Sequence, residues 1–248
     1  MEATIELDDV RVEHPARGSA GPRVALAGVS LRIAHGETLG LIGPSGSGKT
    51  TTLRLVNRLV EPSAGRVRVG GRDVRDVDPV RLRRGIGYVI QASGLFPHLT
   101  VENNVGLLAR LEGHAPEAVA ARVAELLALV RLDPQTYAKR LPHELSGGER
   151  QRVGVARALM LDPPIVLMDE PFGALDPLTR RELQAEVREL QRARPRTVVF
   201  VSHDLEEAFS LADRVAILEQ GRLVRSGTRA ELEADPGSDF VRRFLEAR

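Results

Sequence analysis

Eight consecutive residues, Gly43-Pro44-Ser45-Gly46-Ser47-Gly48-Lys49-Thr50, match the pattern G-x-x-x-x-G-K-[ST] in full. Glycines in such a loop let successive backbone N–H groups curl around phosphate oxygens, and a helix starting there adds the positive end of its dipole. Lys49 supplies a compact charge, and Thr50 a hydroxyl able to ligate Mg²⁺. The lysine is informative in itself. Lys49 and Lys139 are the only lysines in a chain that otherwise uses arginine, whose planar fork is the bulkier group in a tight phosphate cradle.

A second constellation sits at the end of the apolar run IVLMDE, where Asp169 and Glu170 precede Pro171. Two acids at the end of a buried strand are costly unless they hold a cation or act on a substrate. Asp169 suits a Mg²⁺ shell through water, and Glu170 suits the base that orients and polarises an attacking water. Gln91 and His203 each end a further apolar strand. Alone they read as a loop amide and as the residue before a helix capped by Asp204. Beside the crevice at the carboxyl ends of parallel strands, a glutamine can sense Mg²⁺ or water and a histidine can reach a γ-phosphate. Asp176, followed by Pro177, reads first as a helix N-cap.

The stretch LSGGERQRVGVARAL begins a helix at Ser146, with Glu149 three residues on to complete a capping box. Gly147 and Gly148 add what a cap does not need, a bare helix start whose N–H groups suit an anion.

These residues need elements to hold them. Residues 4–12 and 24–33 read as strands, TLGLIG as a short apolar strand entering the glycine loop, and TTLRLVNRLV as the helix that leaves it. RVRVGGRDV, IGYVI, IVLMDE and TVVFVSH are further strands, and AILEQGRLVRSG a hairpin across Gln220-Gly221. Between 92 and about 160 the texture turns helical, with Val119, Val123, Leu126, Leu127 and Val130 at helical spacing. In PLTRRELQAEVRELQRAR, Leu183, Val187 and Leu190 share one face. The pattern predicts an α/β fold with a mainly parallel core sheet.

Composition narrows the function classes. A chain of 248 residues with 42% hydrophobic content buries a sizeable core. Net charge is +1 and aromatics are 3% with no Trp, which argues against a stacking-based nucleic-acid binder, so no nucleic-acid partner is expected. The absence of cysteine excludes disulfides and thiolate metal sites. The start MEATIELDD does not read as a secretory signal, and no apolar run approaches the roughly 18 residues of a membrane span. Any membrane role is expected through a partner.

Taken in order, GPSGSGKTT, Gln91, LSGGERQRV, IVLMDEP, ALD and His203 resemble the nucleotide-binding subunits of ABC transporters, over nearly the whole chain. The resemblance implies a P-loop NTPase (RecA-like) core, an N-terminal antiparallel β subdomain and an inserted helical subdomain. The expected boundaries are 1–91 and 161–226 for the core with its β part, 92–160 for the helical subdomain and 227–248 for a short helical tail. It implies ATP and Mg²⁺, with Gly43, Pro44, Ser45, Gly46, Ser47, Gly48, Lys49, Thr50 and Thr51 on the phosphates. Thr50, Gln91 and Asp169 serve the metal, and Glu170, His203 and Gln91 the catalysis. Ser146, Gly147, Gly148 and Gln151 form the signature, and Asp176 the D-loop.

The family usually stacks adenine on an aromatic ahead of the phosphate loop, and His14 holds that position here. The resemblance also implies a homodimer in which one chain's phosphate loop and the other's signature share each ATP. The anion awaited by Ser146 is then the γ-phosphate held by a second copy. GYVIQASGLFPHLTVENNV is similar to importers of quaternary amines and osmoprotectants such as glycine betaine, choline and proline. Separate permease subunits would hold the chain at the cytoplasmic face of the membrane, docked on Gln91 to Asn104, with a solute-binding protein acting indirectly. Some members continue into paired regulatory domains, and with Arg248 last here such regulation is not expected. Other importers, for amino acids, polyamines or lipid trafficking, are the alternative within the family. A kinase or GTPase would share the Lys49 loop and give no reason for LSGGERQ.

Overall fold

The computed structural model describes residues 3–14, 23–91, 94–173 and 175–246. The chain divides into two compact units, Met1–Arg83 with Arg196–Arg248, and Arg84–Pro195.

Alternating apolar residues build the first unit's antiparallel sheet, ordered β2-β1-β4-β5 from β1 (Ala3–His14), β2 (Arg23–Ala34), β4 (Ala64–Val69) and β5 (Arg72–Asp73). Ile5, Leu7, Val10 and Val12 are all buried although the step from 7 to 10 breaks the two-residue period. A register shift between Leu7 and Val10, with Asp9 at φ 42, absorbs the extra residue and returns the second half of β1 to the same face.

β3 (Thr38–Ile42) is buried at every position, as a strand flanked on both sides must be. It pairs in parallel with β8 (Thr197–Val201) and β9 (Arg214–Glu219), and β9 turns through Gln220 and Gly221, both at positive φ, into antiparallel β10 (Arg222–Gly227). α1 (Lys49–Val56) ends earlier than the apolar spacing predicts, because Asn57 caps it and Arg58, at φ 53, turns the chain. α2 (Pro79–Arg84) follows β5 in sequence. Later come α8 (Leu205–Leu211), capped by Asp204, α9 (Arg229–Ala234), with its own Thr228–Glu231 capping box, and α10 (Asp239–Glu246).

The second unit joins a parallel pair, β6 (Ile86–Val89) and β7 (Ile165–Asp169), to helices α3 (Val101–Leu111), α4 (Pro116–Leu129), α5 (Pro134–Tyr137), α6 (Gly147–Ala158) and α7 (Pro177–Ala193). Val119, Val123, Leu126, Leu127 and Val130 are buried together, as their spacing predicts. On α7 the pattern differs from expectation. Leu183 is buried, Val187 and Leu190 only half so, and Glu186 is buried almost as deeply as Leu183, at 2% exposed, because a buried arginine on α6 receives it. The architecture is α/β with a separate antiparallel N-terminal sheet and helices, as expected.

Candidate active site

β3 delivers the chain into the glycine loop, whose backbone demands glycine at two positions. Gly43 and Gly48 lie at φ 143 and 102, and a Cβ would stand 2.0 Å from the Leu218 carbonyl at the first and 2.5 Å from Leu26 Cδ2 at the second. Lys49 is 7% exposed, and its Nζ donates to the carbonyls of Gly43 (2.7 Å) and Pro44 (2.9 Å). Those carbonyls hold the ammonium at the loop, where phosphate oxygens would be stronger, charged acceptors. Ser47 Oγ is buried with no hydrogen-bond partner among the described residues, a donor available to an oxyanion. Pro44, Ser45 and Gly46 are exposed, and Thr50 and Thr51 half-buried in the first turn of α1. The donor set fits a nucleotide's phosphates. His14 closes β1 opposite Arg23, with its side chain exposed. His203 is exposed just beyond β8, in the same unit.

The second unit carries the acids. Asp169, 1% exposed, ends β7, and Glu170 follows at φ 46, a left-handed backbone that a β-carbon disfavours. Gln91 Nε2 donates to Glu170 Oε2 at 3.0 Å, so two residues that sequence places only at strand ends are in direct contact. Asp176 caps α7, accepting from the N–H groups of Leu178 and Thr179. Hydrogen bonds from Thr179 and then from Leu178 hold its carboxyl below the usual range.

Ser146 and Gly147 are exposed at the start of α6. The capping box is formed: Ser146 N–H donates to Glu149 Oε2 (2.6 Å), and Glu149 N–H donates to Ser146 Oγ (3.2 Å). Burial pushes the Glu149 carboxyl up, but the Tyr137 hydroxyl, donating at 2.6 Å, and Ser146 outweigh it and hold it low. Gly148 has a packing reason besides an anion. A Cβ there would meet Thr179 Cγ2 at 2.6 Å. Gln151 is 6% exposed, its Nε2 without a partner among the described residues.

Sequence reasoning missed Asn104 as a structural clamp. Fully buried, it accepts from Phe96 N–H (2.7 Å) and donates to the carbonyls of Phe96 (3.1 Å), Leu99 (2.9 Å) and Thr100 (3.1 Å). Its only signal in the sequence is an amide facing inward on an otherwise amphipathic helix.

Strand, glycine loop and helix, with an acid-ended strand in the same α/β architecture, define a nucleotide-binding protein of the phosphate-loop class. The family model described as ABC transporter matches residues 26–173. The glycine betaine/carnitine/choline transport ATP-binding protein OpuCA of Bacillus subtilis is 49% identical over 236 residues, 95% of this chain and 62% of that protein. The osmoprotectant import ATP-binding protein OsmV of Salmonella typhimurium is 46% identical over 224 residues, 90% of this chain and 59% of that one. The dimeric ATP-binding cassette MJ0796, solved in a post-hydrolysis state with ADP and phosphate, superposes with a TM-score of 0.83 at 34% identity, covering 90% of this chain and 98% of that one. The chain belongs to the ABC transporter family. It spans about three fifths of the length of those two curated relatives.

Proposed function

We propose that the chain is the ATP-hydrolysing subunit of an importer for a small polar solute of the quaternary-amine or osmoprotectant kind. The observation that carries the hydrolytic part is the Gln91–Glu170 contact at the mouth of an acid-ended strand. Glu170 takes the proton of the attacking water, and Gln91 fixes the carboxylate's orientation. Lys49 and the loop N–H groups hold the phosphates, His14 stacks on adenine, and His203 meets the γ-phosphate. Thr50, Asp169 through water, and Gln91 would hold Mg²⁺, which screens phosphate charge when bound.

Ser146, Gly147, Gly148 and Gln151 serve the nucleotide of a second copy, with Asp176 beside them, so the working unit is a pair of chains with two ATP molecules between them. No helix among the described residues is long and apolar enough to cross a membrane. The names of the relatives support a peripheral subunit held at the cytoplasmic face by separate permease chains. The segment Gln91 to Asn104 makes that contact, and a solute-binding protein acts on the permeases.

The solute class is supported by the names of relatives at 46–49% identity. A complex reconstituted with its permeases and solute-binding protein tests both parts. ATPase activity should rise with choline or glycine betaine and not with amino acids or polyamines, and crosslinks to the permease should map to Gln91 to Asn104. A response to amino acids or polyamines alone would move the chain to another solute branch of the family.

A further inference from the structure

A line of contacts joins α6 to α7, and neither phosphate binding nor water activation uses it. At its start, Thr179 Cγ2 fills the space that a Cβ on Gly148 would need. One turn further along α6, Arg152 is 7% exposed and donates from Nη1 to Glu186 Oε1 (2.7 Å) and the Val130 carbonyl (3.1 Å), and from Nη2 to Glu182 Oε2 (3.0 Å). Arg131 approaches the same Glu186 oxygen at 3.4 Å. Residues 148 and 152 on one helix therefore face 179, 182 and 186 on the other, spacings that keep each set on one face.

We infer that Arg152, with Glu182 and Glu186, is a positioning device that fixes the register of α6 on α7, so that the two helix starts meet a second copy as one surface. The inference rests on the reading of Ser146 as the contact to a second chain's nucleotide. Both starts lie at the same end of the seam: Ser146 two residues before Gly148, and Asp176 three before Thr179. Beside them Leu178 is 70% exposed, an apolar side chain that a second copy would cover.

Charge suits the task because the desolvation of a buried Arg–Glu pair offsets most of its attraction. An apolar seam of equal volume would hold the helices with similar strength but could slide by a turn. A planar fork that bridges two carboxylates four residues apart on α7, and reaches a carbonyl as well, is satisfied in one register.

The test uses the full chain and three variants. Arg152→Met/Glu186→Leu keeps the seam's volume, Arg152→Lys keeps charge but loses the fork, and Glu182→Gln weakens the half-exposed arm. In each, melting temperature, ATP affinity of the monomer, ATP-driven dimerisation and the kcat and KM of hydrolysis are measured. The double variant should melt near wild type and bind ATP within about twofold, while kcat falls on the order of 10²-fold, the scale of a misplaced reacting group, and dimerisation is lost. Arg152→Lys should fall between, and Glu182→Gln should lower kcat with KM unchanged.

Wild-type kcat and dimerisation in the double variant would overturn the inference. Should that variant fail to fold, wild-type kinetics in both Arg152→Lys and Glu182→Gln would overturn it equally. Ser146→Arg separates the two levels: an active Ser146→Arg protein refutes the reading of Ser146, whereas an inactive one beside an active double variant refutes the positioning device alone.

Discussion

Glu170 holds a left-handed backbone, φ 46, that costs of order 1–3 kcal/mol for a residue with a β-carbon. Its carboxyl, gripped by Gln91, is where that strain is useful. Glu170→Gln should keep equilibrium ATP binding and lower the steady-state rate of phosphate release on the order of 10²-fold or more. Lys49→Ala should do the reverse in a binding assay, since the charge-assisted contacts to phosphate are lost; unchanged affinity would contradict the phosphate-loop role.

A carboxylate of the antiparallel sheet contributes to acid sensitivity. The Arg75 guanidinium holds the Asp73 carboxyl at about 2, against a burial that would raise it. Because the folded value lies below the ordinary 3.8, this pair stabilises the fold fully above pH 3.8 and loses its contribution as pH falls towards 2. Between those values the urea midpoint of wild type should fall more steeply than that of Asp73→Asn. At this scale the sequence announces residue types: Lys49, Asp169 and Glu170 declare their chemistry through neighbours. Asn104 and Arg152 do not, since the partners that explain Arg152 lie 22 to 34 residues away and no local pattern names them.

Among elements, α6 shows how far a motif can be read. Its capping box is legible from Ser146 and Glu149 alone, and it forms. The glycine pair is only half legible. Gly147 leaves the helix start bare, whereas Gly148 answers to Thr179, a residue of another helix. Gly148→Ala should therefore destabilise the protein by about 1–3 kcal/mol, the usual penalty of overpacking, and Thr179→Ser in the same chain should restore most of it by removing the obstructing methyl. Chemical denaturation of the single and double variants measures this. An unrepaired Gly148→Ala protein would mean the helix start, not the seam, needs the glycine. α7 carries the same lesson. Periodicity ranks Leu183, Val187 and Leu190 as its inner face and cannot rank Glu186, whose burial depends on a partner's charge.

Across the whole molecule, the site residues divide between the two units. The phosphate loop, His14 and His203 belong to one, and Gln91, Ser146, Asp169, Glu170 and Asp176 to the other. The strands β3, β7 and β8 and the glycine loop after β3 are legible because buried parallel strands read as continuous apolar runs; which strand lies beside which is not. The division itself was not, since long-range packing decides it. If the exposed start of α6 serves a second chain, Ser146→Arg should bind ATP as a monomer with near wild-type affinity and neither dimerise nor hydrolyse. Sedimentation with and without ATP, beside a binding titration, separates the two outcomes. Loss of binding by the isolated monomer would place Ser146 on its own nucleotide.

Asn104 has a consequence for how anything could fasten to this unit. With its amide engaged by the backbone from Phe96 to Thr100, that short segment is already shaped in the free chain, and Phe96, 43% exposed and edge-on to His98, stands on it. A partner closing over the ring has little main-chain freedom to quench. Against such a partner the aromatic would be a fixed peg rather than a tether, its backbone already tied to the first turn of α3 through Asn104.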